Sequence, residues 1–226
     1  MTLAEILPLA GLGALLGLDV VSFPQGMVSR PLVAATLAGA LAGDAERGVL
    51  VGAVLEMIAL GTLPFGAARY PDWGSASVVG GALAARAEVM SPGTLTLAVF
   101  ATLLAAWLSS ESMVWLRTLN VRFAHRARAE LERGSRAAVH ALQAKGFAAD
   151  LVRGAVVSGT ALAVLAPAVE RLAPLWNGSA ETERAALAGL TAALGSATVW
   201  MLVRGAPRAR RLIVAGVAAG VILVLT

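Results

Sequence analysis

The sequence predicts an all-α integral membrane protein: a multi-span helical bundle with broken or re-entrant helices in its N-terminal half and an interfacial amphipathic helical stretch. Three observations carry that expectation. Hydrophobic residues make up 58% of the 226 and charged residues 14%, against roughly 45–50% and about 25% in soluble domains. The apolar residues fall in long runs, and the mean hydropathy is +0.78. Basic residues gather beside those runs, as they do on the cytoplasmic flanks of membrane helices. A water-soluble globule, a disordered chain and a disulfide-stapled domain are thereby excluded.

A helix needs about 20 apolar residues to cross the hydrocarbon core, and the segments can be weighed in order against that length. The first, 6–21, contains Asp19. No Lys or Arg precedes Arg30, so a cleavable signal peptide with its positive n-region is not expected. The run 32–43 has twelve residues and 75–85 is shorter still and rich in Gly and Ser, so neither spans alone as a helix. Short, Gly- or Pro-broken apolar segments of this kind resemble the re-entrant hairpins and discontinuous helices of transporters. Between them, 48–68 is long enough but holds Glu56 and Pro64. The clearest spans are 92–108, 154–176, 185–203 and the short 212–226.

Residues 120–150 form the one long polar segment. Leu119, Phe123 and Ala127 fall at helical spacing, as do Val139, Leu142 and Gly146, with charged residues between. The segment reads either as an amphipathic helical pair at the interface, its arginines near anionic headgroups, or as a solvated hairpin joining two spans. We divide one membrane domain, 1–226, accordingly: 1–90 broken helices, 91–116 a span, 117–153 the cytoplasmic or interfacial stretch and 154–226 the C-terminal spans.

The basic residues also set the orientation. Seven of the 18 lie between Val121 and Arg153 and four more between Arg204 and Arg211, which places both clusters on the cytoplasmic side. The loop 177–184, with Glu181, Glu183 and one Arg, then faces outward. The net charge is only +4, and no aromatics interleave with the basic residues to stack bases, so nucleic acid is not an expected partner. No cysteine and two histidines leave no expected metal centre and no thiol chemistry. Phosphate-cradling, dinucleotide, zincin and nucleophile-elbow motifs are missing, so no cofactor and no catalytic residue are expected.

A charge retained at bilayer depth costs about 2.5–3.5 kcal/mol on insertion scales, which makes each one a candidate for function. Glu56, between Leu55 and Met57, reads as a carboxylate facing a polar cavity or as a partner for Arg30 or Arg47. Asp44, where apolar periodicity stops and restarts, reads as a helix N-cap or a ligand. Arg30-Pro31 opens a helix. Asp19 and Gln25 flank the break at Pro24-Gln25-Gly26. Asp72 and Trp73 follow Tyr70-Pro71 in another break, where the aromatics serve as interfacial anchors or as sugar-stacking rings.

The N-terminal third carries a resemblance. The run Ser29-Arg30-Pro31-Leu32-Val33-Ala34-Ala35-Thr36-Leu37-Ala38-Gly39 leads to Gly43-Asp44, Gly48, Gly52 and Leu55-Glu56-Met57-Ile58-Ala59-Leu60-Gly61. Phe65-Gly66-Ala67-Ala68, Pro71-Asp72 and Ser75-Ala76-Ser77 follow, with a weaker echo in Arg117-Thr118-Leu119-Asn120-Val121 and Phe123-Ala124-His125. Together these resemble the permease IIC component of the mannose/fructose/sorbose family of the bacterial phosphotransferase system, specifically over about 15–80. The resemblance implies a sugar-transport subunit of the bacterial inner (plasma) membrane, paired with a IID membrane subunit in a trimer of IIC–IID pairs. Cytoplasmic IIA and IIB proteins relay the phosphate on their own histidines. It implies a sugar path at Glu56 and Asp72, with Arg30, Gln25 and Asp44 in support.

The chain looks shorter than that family pattern, without a final span after Leu225 and with a basic run at Arg208–Arg211. Two rivals therefore stand beside a sugar-translocating subunit. One is an ion-coupled small-solute carrier with Glu56 as the coupling carboxylate. The other is a non-transporting scaffold or regulatory subunit that binds a soluble phosphotransferase protein through 117–153.

Overall fold

The computed structural model describes residues 1–20, 22–61, 69–176 and 179–203, with 205, 211 and 213–216 beyond them. Seven helices are ordered along the chain: α1 Leu3–Asp19, α2 Pro31–Ala42, α3 Ala45–Ala59, α4 Trp73–Arg86, α5 Pro92–Glu132, α6 Arg136–Trp176 and α7 Ala180–Val203. No strand occurs among the described residues.

Local chemistry explains the boundaries. Pro31 starts α2, where its missing N–H and fixed φ cost nothing. Gly43, at φ 109°, ends that helix in the left-handed region that a side chain resists. The next residue, Asp44, caps α3 by accepting from the Arg47 amide at 3.0 Å. Asp72 caps α4 from the Ser75 amide, and Ser91 with Pro92 opens α5. At the far end of α5 the chain reverses through Gly134, at φ 74°, and returns as α6.

Helix α4 is the centre of the bundle. Every residue from Trp73 to Ala84 is buried, and α1, α2, α3, α5 and α6 all pack on it. That is possible because its surface is built of small residues, which let neighbouring backbones approach. A Cβ on Gly81 would lie 2.2 Å from the Ala35 carbonyl oxygen, and one on Gly74 would lie 2.4 Å from that of Leu16. At 14 residues α4 is about 21 Å long, too short to cross a bilayer. The Gly- and Ser-rich segment expected to be short is therefore the axis around which the others stand.

Contacts along α4 give the five helices around it a direction. Ser29 meets Gly74, Ala35 meets Gly81 and Arg47 donates to the Ala87 carbonyl, so α2 runs parallel to α4 and α3 returns. Helix α1 is antiparallel, with Leu16 at Gly74 and Glu5 bridged to Arg86 at 2.8 Å. Helix α6 runs alongside α4, since Ser158 donates to the Ser75 carbonyl oxygen. Helix α5 opposes it, from Thr102 at Gly80 to Ser109 at Asp72. Helix α7 packs on α5 and α3.

Several expected boundaries change. The segment 48–68 is helical only to Ala59, and 62–68, including Pro64 and Phe65-Gly66-Ala67-Ala68, lie outside the described residues. So do Val21, Asn177, Gly178 and most of 204–226. The spans at 92–108 and 154–176 are parts of two 41-residue helices, each about 60 Å long. Residues 120–150 are the far ends of those helices and the turn between them. Helix propagation carries through the polar sequence because no Gly or Pro pair interrupts it before Gly134.

Both long helices are apolar enough to cross a membrane. Their outer faces carry exposed Phe100, Trp107, Val152, Val164 and Leu175, while Asp19, Asp72, Asp150 and Arg153 are buried. Large apolar groups outside and paired charges inside suit a protein whose solvent is lipid.

Candidate functional site

The polar residues converge on one end of α4, the end that faces the α5–α6 hairpin. At its centre the Arg153 guanidinium lies between two carboxylates. One Nη2 donates to Asp72 Oδ2 at 2.7 Å, and Nε donates to Asp150 Oδ1 at 2.9 Å. Both aspartates are 1% exposed. Ser75 Oγ donates to Asp72 Oδ2 at 2.6 Å, the Asp72 amide donates to Ser109 Oγ at 2.9 Å, and Ser22 Oγ donates to Asp150 Oδ2 at 2.8 Å. One cation facing two carboxylates leaves this triad with one formal negative charge. The dense hydrogen bonding is what permits that charge to stay buried.

A third buried carboxylate organises the neighbouring loop. Asp19, the last residue of α1, accepts from the Gly26 amide at 2.6 Å, the Ser29 amide at 3.0 Å and Ser29 Oγ at 2.8 Å. Between these anchors Phe23–Pro24 is cis, and Gln25 and Met27 have φ of 59° and 63°. The turn thus holds Gln25 in an exposed position, tied through Asp19 on one side and through Ser22 to Asp150 on the other.

The third component is more open. Arg30 pairs with Glu56, its Nε donating to Oε1 at 2.6 Å and its Nη2 to the same oxygen. Glu56 Oε2 accepts the Leu32 amide, at 3.2 Å. The two side chains remain 25% and 22% exposed. Arg30 opens α2 and Glu56 closes α3, so the antiparallel pair brings them to the same end as Asp72.

Glu56, Asp72, Arg30 and Gln25 therefore share one end of the bundle, although up to 47 residues separate them in sequence. Asp44 stands apart, at the opposite end of α2 and α3, where it caps α3 and pairs with Arg47 Nε at 3.0 Å. Asp150, Arg153, Ser22, Ser29, Ser109 and Ser112 were not singled out as site residues from sequence. Arg153 counted there only as the last of the flanking basic residues. The available signal was the i, i+3 spacing of Asp150 and Arg153 against the start of the apolar run at Gly154. Tyr70 and Trp73 are both buried, and the Arg117 guanidinium sits 5.1 Å from the Tyr70 ring centroid. Among the described residues no group of three acidic or histidine side chains could hold a metal ion.

Chemically, this end combines carboxylate acceptors, guanidinium donors and hydroxyls, the set that binds a polyhydroxylated solute.

The fold and sequence have known counterparts. A family model described as the sorbose-specific IIC component of the phosphotransferase system matches residues 4–205. The fructose permease IIC component of Bacillus subtilis (strain 168) is 35% identical over 127 residues, 56% of this chain and 45% of that protein. The mannose-specific EIIC component of Escherichia coli (strain K12) is 33% identical over 131 residues, 58% and 45% of the two chains. The sorbose-specific EIIC component of Klebsiella pneumoniae is 32% identical over 119 residues, 53% and 41%. The matched stretch thus spans under half the length of each of these relatives. A structure of the mannose transporter ManYZ with microcin E492 matches the fold over all of this chain and 88% of that one, with a TM-score of 0.64 and 23% identity. A structure described only as a membrane protein matches over all of this chain and 95% of its own, with a TM-score of 0.68 and 23% identity. The chain belongs to the sorbose-type IIC family of the sugar phosphotransferase system and is a membrane protein.

Proposed function

From that membership we propose that the chain is the sugar-translocating IIC subunit of a phosphoenolpyruvate-dependent phosphotransferase system. It passes sugar across the bacterial inner membrane to a IIB protein, which phosphorylates it. It pairs with a IID membrane subunit, the pairs assemble as a trimer, and cytoplasmic IIA and IIB carry the phosphate. The whole chain acts as one membrane domain.

The observation that supports this reading is the convergence of Glu56, Arg30, Gln25 and Asp72 on one end of a short helix that is buried from Trp73 to Ala84. That is the end from which the basic hairpin projects. Under the charge rule for membrane topology the hairpin is cytoplasmic, so the polar site lies where a soluble phosphocarrier reaches it. In this reading Glu56 Oε2 and the Arg30 guanidinium supply an acceptor and donors to sugar hydroxyls. Asp72, 1% exposed and held by Arg153 and Ser75, braces this end of the site from beneath. Asp44, at the far end, is left out of this site.

The test is uptake of radiolabelled hexoses by cells expressing the chain with a IID partner, followed by separation of free from phosphorylated sugar. Phosphosugar that depends on IIB is the expected result. Free sugar inside the cell would make the chain a carrier with Glu56 as a coupling group. No uptake across a hexose panel, with the chain inserted, would make it a scaffold.

A further inference from the structure

The α5–α6 hairpin carries two successive clefts between its helices, which together form a groove. On α5, Trp115, Leu119, Arg122 and Arg126 recur at i, i+3 and i, i+4 spacing and so share a face. On α6, Val156, Val152, Ala149 and Lys145 do the same in the opposite direction. The register between the two helices is set by Asn120, whose side-chain oxygen would lie 3.8 Å from a Cβ on Gly146. Arg122 and Lys145 therefore stand at about one level, with Trp115, Val152 and Val156 below them toward the bundle.

The lower part of the groove encloses about 780 Å³ and is walled mainly by apolar side chains, with Arg122 at its tip-side end. Trp115 is 80% exposed and Val152 63%. Arg126 and Lys145, together with one carboxylate, Glu130, line a second cleft nearer the hairpin tip. Neither Arg122 nor Arg126 forms an ion pair among the described residues, and Glu111, at the groove's inner end, is engaged by Arg69 at 2.5 Å.

The level of the groove relative to the bilayer follows from exposed apolar residues on α6. They run from Phe147 to Trp176, with Val139 alone nearer the tip, and the stretch of α6 between the exposed charges Lys145 and Glu170 is about 37 Å along a helix, close to the thickness of a hydrocarbon core. Toward the hairpin tip, exposed Lys145, His140 and Arg136 follow. The apolar wall thus lies at acyl-chain depth and the basic collar lies at headgroup depth. Anionic lipids attract basic groups at that depth by about 1 kcal/mol per residue.

We infer that this groove is a binding site for one anionic phospholipid, its acyl chain along Trp115, Val152 and Val156 and its phosphate against Arg122, Arg126 and Lys145. The match is one of charge and depth together: an apolar cleft open to the bilayer leads to three cations and a single carboxylate, Glu130, a net positive end. The site stands independently of sugar transport.

The test is native mass spectrometry of the full-length protein in neutral detergent with equimolar phosphatidylglycerol and phosphatidylcholine of matched acyl chains. Phosphatidylglycerol adducts should dominate at low salt, and Arg122→Gln should lower the preference about fivefold. Arg122→Lys should keep most of it. Arg133→Gln with Arg136→Gln removes charge from the tip instead and should leave it intact. Trp115→Ala with Val152→Ala should reduce adducts of both lipids. Equal binding of the two lipids, or a preference indifferent to Arg122→Gln, would overturn the site. Displacement by inorganic phosphate alone would reduce it to a phosphate contact. Loss of the adduct when a second membrane subunit co-purifies would make the groove a subunit interface. Either of these last two results overturns the lipid assignment.

Discussion

Two ion-paired groups lie at the same end of the bundle and differ in access. The Asp72–Arg153–Asp150 triad is sealed: its carboxylates are 1% exposed, and three helices supply its partners. The Arg30–Glu56 pair is open, with about a quarter of each side chain in contact with solvent. The difference teaches which group holds the fold and which can meet a ligand. A sealed triad loses heavily if one member is removed, because the others stay buried without compensation. An open pair loses little, because water replaces the missing partner.

The largest stability effect should follow from Arg153→Ala, which leaves two buried carboxylates facing each other. A loss of about 3–5 kcal/mol is expected, read as a collapse of the monodisperse peak in detergent. Arg153→Lys should recover part of it. If Arg153→Ala is as stable as the parent, the triad is not sealed in the membrane-embedded protein.

Next comes Gly81→Val, which places a branched side chain against the Ala35 backbone. Overpacking of this kind costs about 1–3 kcal/mol and should lower the thermal midpoint of the purified protein. An unchanged midpoint would mean that α4 and α2 pack less closely than 2.2 Å to a Cβ implies.

Asp44→Ala removes the N-cap of α3 and should cost about 1 kcal/mol, measured in the same melt. Because Asp44 lies at the far end from Glu56, hexose uptake at matched membrane amounts should persist. Loss of uptake with an unchanged melt would restore Asp44 as a ligand.

Glu56→Gln should disturb stability least, by under about 1 kcal/mol. Its effect on transport should nevertheless exceed that of Asp44→Ala by more than tenfold, since the amide cannot pair with Arg30 as a carboxylate does. The smallest stability effect would thus accompany the largest functional one.

Much of the fold was legible because its causes are local. Composition and run length mark the membrane class, and Pro31 and Asp44 mark helix starts. The length of α2 and the shortness of α4 were readable too. The central position of α4 was not, since a Gly- and Ser-rich helix has no apolar stripe; all of its faces are equally suited to burial. The continuity of α5 and α6 through a polar stretch was missed because apolar run length marks where lipid ends, not where a helix ends.

The site was legible in part. Glu56 drew attention as a charge among apolar neighbours, and Arg30 was named as its possible partner. Asp72 stood out at a helix break. Asp150 and Arg153 were absorbed into the basic flank because their partner, Asp72, is 81 residues from Arg153 in sequence. No local spacing encodes a contact of that range. The buried serines were silent for a different reason: Ser in an apolar helix commonly bonds its own backbone, as Ser110 and Ser112 do here.

The most direct test of the contrast between the two pairs is equilibrium binding of a radiolabelled hexose to the purified chain with its IID partner, parent against Glu56→Gln, each with its thermal midpoint. The account predicts that Glu56→Gln keeps the midpoint and loses hexose binding by tenfold or more. Undiminished binding by a Glu56→Gln protein of parental stability would contradict it.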